Sequence, residues 1–206
     1  MPLTVEYYFS PTSPYVYLGH PRFVRIAKEA LAQVNVKPVD LGGKVFPVSG
    51  GLPLSKRAPQ RQAYRLVELK RFSEWLDLPL NLQPKYFPVA ADDAAKLIIA
   101  VDMKDGTEAS LKLTGAIGRA VWVEDRNVAD EATLSALLAE QGLPPARLEA
   151  AHSQAVHERY EQDTQQAIDA GVFGAPSYVI DGEIFWGQDR LDFVQRRLQR
   201  ARASNA

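Results

Sequence analysis

The stretch Gly171 to Leu191, GVFGAPSYVIDGEIFWGQDRL, decides the fold. Ser177 to Ile180 carries β-forming side chains, Asp181-Gly182 is a type I′ turn pair, and Glu183 to Trp186 resumes strand-like alternation. Together they predict a hairpin. Gly187 breaks the second strand, and Gln188-Asp189 opens an amphipathic run, Leu191, Val194 and Leu198, at helical spacing. Ala175-Pro176 stands at the entrance of the hairpin, where a proline that cannot donate to a ladder predicts backbone left unpaired. An unpaired strand edge beside a helix start can hold an extended, acidic, peptide-like ligand. The same pattern also suits an ordinary C-terminal hairpin packed under a helix.

Working outward, the other end of the chain supplies the strands that this hairpin must join. Leu3 to Phe9 (LTVEYYF) is rich in β-branched and aromatic residues and reads as a central strand. Ser13 followed by Pro14 places a hydroxyl at the N-cap and a proline at the first helical position. Tyr17, Phe23, Val24, Ala27 and Leu31 then mark the buried face of a helix reaching about Gln33. Val34 to Leu41 is a second strand, and Pro38 puts it at an edge or on a bulge. Gly42 to Pro59 reads as a long functional loop or linker.

Helices are predicted over Gln60 to Leu76, Asp93 to Met103, Thr107 to Val123, Asp130 to Gln141 and Pro145 to Gly171, the last in one or two pieces. The order is β-α-β, a helical block, then β-β-α. Setting the block outside the sheet lets both ends build one mixed sheet, with a parallel crossover between the first two strands. This is an α/β, thioredoxin-like arrangement, with residues 1–55 and 172–206 as a discontinuous sheet domain and 56–171 as an all-helical insertion.

The 206 residues carry 24 Lys and Arg against 25 Asp and Glu, a net charge of −1, which leaves no footprint for nucleic acid or an acidic membrane. Lys56, Arg57, Arg61 and Arg65 form a local basic cluster. There is no cysteine, which excludes disulfides, thiol nucleophiles and thiolate metal sites. No signal-peptide pattern is visible and no window approaches the ~20 apolar residues of a membrane span, so the expected compartment is the cytoplasm.

The candidate chemistry is sparse. Ser13 either caps its helix or donates to an anion held at the helix's positive end. Asp189 and Arg190 either form a cap and a surface charge or hold the ammonium and carboxylate of an amino-acid-like ligand. Arg61 and Lys56 either reach a second carboxylate or lie on a solvated face. His20, His152 and His157 have no metal-ligand spacing. Trp75, Trp122 and Trp186 are each expected in the core.

Three segments, FSPTSPYVYLGH, GLPLSKRAPQRQAYR and GVFGAPSYVIDGEIFWGQDRLDFV, resemble the 2-hydroxychromene-2-carboxylate isomerases. That group is related to the kappa-class glutathione transferases and to DsbA-like disulfide oxidases. The resemblance implies a glutathione-dependent isomerase acting on a small aromatic carboxylate, as a homodimer. It places Ser13 against the glutathione sulfur, where the oxidases carry a reactive cysteine; here that run is Ser13-Pro14-Tyr15-Val16. It assigns Ala175 and a cis Pro176 to the cysteinyl unit, Gln188 and Asp189 to the γ-glutamyl end with Arg190 as the adjoining arginine, and Arg61 to the glycyl end. Tyr15, Tyr17 and Phe46 are aromatic candidates for the substrate pocket. A kappa-like transferase or peroxidase, or a binding protein without chemistry, are the rival readings.

Overall fold

The computed structural model describes residues 3–204. Its centre is a four-stranded mixed sheet in the order β2-β1-β3-β4, formed by β1 (Thr4–Phe9), β2 (Gln33–Pro38), β3 (Ser177–Ile180) and β4 (Glu183–Trp186). β1 pairs parallel with β2, from Thr4 opposite Gln33 to Phe9 opposite Pro38, and antiparallel with β3. β1 is thus central, as its composition predicts. β2 is an edge, where Pro38 deprives no neighbouring strand of a donor. Asp181 and Gly182 both adopt positive φ, 50° and 80°, which gives the type I′ turn joining β3 to β4.

α1 (Pro14–Glu29) connects β1 to β2 and runs on through Pro21. After β2, where the sequence suggests open loop, the chain winds into a π turn over Leu41–Val45, the short α2 (Phe46–Ser49) and a 3-10 turn over Leu54–Lys56. The Asp40 carboxylate accepts from the Gly43 N–H at 2.7 Å and so holds the first of these turns. The helical block comprises α3 (Pro59–Leu76), α4 (Asp92–Asp105), α5 (Thr107–Trp122), α6 (Glu131–Glu140), α7 (Ala146–Ala151) and α8 (Gln154–Asp169). The last predicted helix therefore falls in two pieces, and Ser153 starts the second by accepting from the Val156 N–H. α9 (Leu191–Ser204) follows a 3-10 turn at Gln188–Arg190.

The sheet is covered on both faces. Val5, Tyr7 and Phe9 enter the main core with Phe23, Leu97, Ile98, Trp122, Tyr178 and Leu191, so sheet and helical block share one apolar cluster. Tyr8, Val39, Val45, Ala167, Val172 and Val179 form a smaller cluster on the other face. Lys37 is buried at that edge, 2.7 Å from Glu6 and 3.9 Å from Asp163. His20 is a core residue. Its Nε2–H donates to the Leu111 carbonyl at 2.9 Å and its Nδ1 accepts from the Tyr7 hydroxyl at 3.2 Å. Burial pulls its pKa down to about 4, so it stays neutral. Of the three tryptophans only Trp122 is in the core. Trp75 and Trp186 are 66% and 50% exposed, because α3 turns its outer face and β4 its free edge to solvent. Among the described residues no helix is long and apolar enough to cross a membrane.

Candidate active site

The N-terminus of α1 is the natural place to start, because a helix begins there with donors it cannot satisfy internally. Ser13 has extended backbone (φ −73°, ψ 131°), and its Oγ accepts from the Val16 N–H at 3.4 Å. The hydroxyl's one proton is left to be donated elsewhere. Residue 12 is fixed from behind by the buried Trp122, whose indole N–H donates to the Thr12 carbonyl at 3.2 Å.

Facing this terminus is the entrance of the hairpin. The Ala175-Pro176 bond is cis, and β3 begins only at Ser177. Among the described residues none of the ladder, turn or loop backbone hydrogen bonds engages Ala175, as the proline at the strand entrance predicts. The Gly187 N–H donates to the Pro176 carbonyl at 2.9 Å, tying the exit of the hairpin to its entrance. That bond sets Gln188, Asp189 and Arg190 beside Ala175. Gly19 of α1 makes room for them: a Cβ there would stand 2.7 Å from the Cβ of Gln188.

These elements enclose a cavity of about 1160 Å³. Ser13, Arg61, Ala175, Gln188, Asp189 and Arg190 all line it, although they come from both ends of the chain and from α3. Pro176 lies just outside the lining and shapes it through its neighbours. Gln188 is 2% exposed, and its side-chain N–H donor is buried without an acceptor. A buried donor of this kind fits a polar ligand that brings its own acceptor, a carboxylate included. Asp189 and Arg190 are ion-paired to each other at 2.5 Å and are about half exposed. Arg61 sits in the first turn of α3, where a cation opposes the helix dipole, and among the described residues its side chain has no ion-pair partner.

The opposite wall was legible only in part from the sequence. Tyr15 and Phe46 line the cavity, but Tyr17 points away and donates its hydroxyl to the Pro79 carbonyl at 2.6 Å. Phe72, Phe87, Pro88 and Val89 complete an apolar side next to Arg65. Tyr15 donates to the Glu68 carboxylate at 2.5 Å, and burial, reinforced by that carboxylate, raises its pKa so that it remains a phenol. The segment between α3 and α4 carried no predicted element. Its run of prolines, Pro79, Pro84 and Pro88, is the one cue that it is a shaped wall. Trp186 lies at the rim, 4.8 Å from the Phe173 ring, instead of in the core. Among the described residues no group of three or more His, Asp or Glu side chains is placed to hold a metal.

Comparison with known proteins places this geometry in context. Residues 4–199 match the model of the DSBA-like thioredoxin domain. A 2-hydroxychromene-2-carboxylate isomerase from Sphingobium xenophagum is 26% identical over 199 residues, covering 96% of this chain and 99% of the relative. The human glutathione S-transferase kappa 1 is 22% identical over 96% of this chain and 92% of its own length. A solved structure of a 2-hydroxychromene-2-carboxylate isomerase superposes with a TM-score of 0.79 at 24% identity, over 98% of this chain and 97% of the other. The mixed sheet, the helical block and a match running nearly end to end agree: this chain belongs to the DSBA-like thioredoxin family.

Proposed function

We propose that the chain is a glutathione-dependent isomerase that interconverts 2-hydroxychromene-2-carboxylate and trans-o-hydroxybenzylidenepyruvate, a step in the breakdown of naphthalene-type aromatics. One observation carries the reading. In a chain without cysteine, the Ser13 hydroxyl, the unpaired Ala175 peptide and the Gln188–Arg190 turn open onto one cavity. The curated relatives named for this isomerisation support the choice of reaction. A cavity of about 1160 Å³ exceeds the ~300–1,000 Å³ of ordinary small-molecule sites and has room for a tripeptide and an aromatic acid together.

The residues present suit glutathione. Ala175 offers an unpaired peptide to an extended backbone. Asp189 is an acceptor for an ammonium group, and Arg190 and the Gln188 amide are donors for a carboxylate. Arg61 is a second cation for the other end. When bound, glutathione supplies a thiolate that adds reversibly to the conjugated substrate, so that rotation about a single bond becomes possible. Ser13 attacks nothing in this scheme. Its proton points a directed hydrogen bond at the sulfur, and the α1 terminus adds partial positive charge. We read residues 56–171 as an insertion that closes the cleft and the protein as a cytoplasmic homodimer. Sedimentation of the purified chain tests the last of these.

The deciding assay follows the absorbance of 2-hydroxychromene-2-carboxylate with and without glutathione. No glutathione-dependent conversion refutes the proposal. The kappa relative favours a second reading, a glutathione transferase, for which chlorodinitrobenzene turnover is the measurement. Absence of any calorimetric heat with glutathione would instead mark a binding protein that has kept only the scaffold.

A further inference from the structure

We propose that Arg65 anchors the carboxylate of a planar aromatic acid in the apolar half of the cavity. The substrate class rests on the isomerase reading; the site itself rests on the cavity alone. Arg65 is 8% exposed, one of two residues that α3 buries. Its guanidinium carbon lies 5.3 Å from the centroid of the Phe87 ring and 5.7 Å from that of Trp122. Those faces hold the cation but leave the edges of its fork, where two parallel N–H groups match a carboxylate.

A buried charge is ordinarily paired. Lys37, equally buried in this same chain, has Glu6 at 2.7 Å and Asp163 at 3.9 Å. Arg65 makes no ion pair among the described residues. Glu68, one turn further along α3, is already engaged by the Tyr15 hydroxyl at 2.5 Å. Burial, reinforced by the neighbouring Arg57 and only partly opposed by Tyr15, pulls the Arg65 guanidinium below its ordinary pKa. Arg65 lines the cavity. An incoming anion is the partner this arrangement lacks.

The position also suits the anion's aromatic body. Tyr15, Phe72, Phe87 and Pro88 wall that end of the cavity. Trp122 links it to the thiol site, because the indole that lies against Arg65 also holds the Thr12 carbonyl, one residue before Ser13. Arg57, Arg61 and Arg190 also line the cavity, but each is half-buried or exposed. Arg65 is the one buried arginine of the four, matched to the carboxylate of a second ligand.

Cinnamate and its neutral isostere cinnamamide are the probes, titrated calorimetrically into the wild type and Arg65→Met, with glutathione titrated separately. The expected result is a loss of cinnamate affinity of tenfold or more, with cinnamamide and glutathione unchanged within about twofold. Undiminished cinnamate binding, a parallel loss of cinnamamide, a loss confined to glutathione, or a wild type that does not bind cinnamate each overturns the proposal. If circular dichroism shows Arg65→Met unfolded, Arg65→Lys replaces it. That variant keeps the charge without the fork and should lose at least about fivefold for cinnamate alone; unchanged affinity again overturns the proposal. A wild type that binds cinnamate through Arg65 yet never isomerises the chromene carboxylate defeats the isomerase reading and leaves the anchor standing.

Discussion

Replacing Ser13 with alanine separates its two roles. As a cap, the hydroxyl accepts from the Val16 N–H at 3.4 Å, a long contact. Its loss should therefore cost about 0.5–1 kcal/mol, the lower part of the range for N-caps. As a donor to a bound thiolate it is worth more, because hydrogen bonds to charged groups contribute roughly 1.5–3 kcal/mol. At ~1.36 kcal/mol per pH unit, losing that bond raises the pKa of bound glutathione by about 1–2 units. Below both pKa values the thiolate fraction, and the isomerisation rate that depends on it, should drop about ten- to hundredfold. Ser13→Gly provides the control: glycine is a fair N-cap that costs only a few tenths of a kcal/mol, but it donates nothing. The two variants should differ in melting temperature and agree in thiol pKa. The assay is the ultraviolet absorbance of the glutathione thiolate, titrated against pH in the three proteins at saturating ligand. Superimposable curves would sink the donor role and leave Ser13 as a cap alone.

Other residues give expectations of different kinds. Arg190→Ala should weaken glutathione binding by about 1.5–3 kcal/mol with little effect on folding, since the side chain is 51% exposed; unchanged calorimetric affinity would remove Arg190 from the site. Gly19→Ala drives a methyl to 2.7 Å from the Gln188 Cβ and 3.3 Å from its Cα. It should cost roughly 1–3 kcal/mol of stability and displace the turn that carries Asp189, seen as a lower melting temperature together with weaker glutathione binding. Asp163 concerns pH. Burial, outweighing Arg159 and Lys37, lifts its carboxyl from 3.8 to about 6. The folded state therefore holds that proton more tightly than the unfolded one, and the contribution is complete below about pH 3.8 and lost as pH rises through about 6. Compared with Asp163→Asn, the wild type should gain roughly 1–3 kcal/mol between about pH 7 and pH 4; a pH-independent difference in denaturation midpoints would contradict this.

How far the molecule was legible in its sequence depended on the range of the interactions. The hairpin was readable because Asp181-Gly182 satisfies a local demand, positive φ at two successive positions, and because strand alternation has period two. Ser13-Pro14 was readable as a helix start, and Pro38 as an edge, by equally local rules. The segment after β2 misled because glycines and prolines signal loop, whereas Asp40 and the walls of the cavity hold it in short helical turns. Trp75 and Trp186 misled because hydrophobicity alone does not say which face of α3 or which edge of β4 is covered. Arg65 lies at the far limit of legibility. On α3 it resembles any cation of a solvated helix, and only its contacts with Phe87 and Trp122, brought by other segments of the chain, show it to be buried. On the proposed function this division has a consequence. The peptide-binding half of the cavity is built from local signals, a cap, a proline-led hairpin and a turn, so it survives wherever those motifs survive. The aromatic half is built from tertiary contacts among α1, α3, α5 and the segment before α4. On that reading, a change of one side chain there alters the second ligand while leaving the first in place.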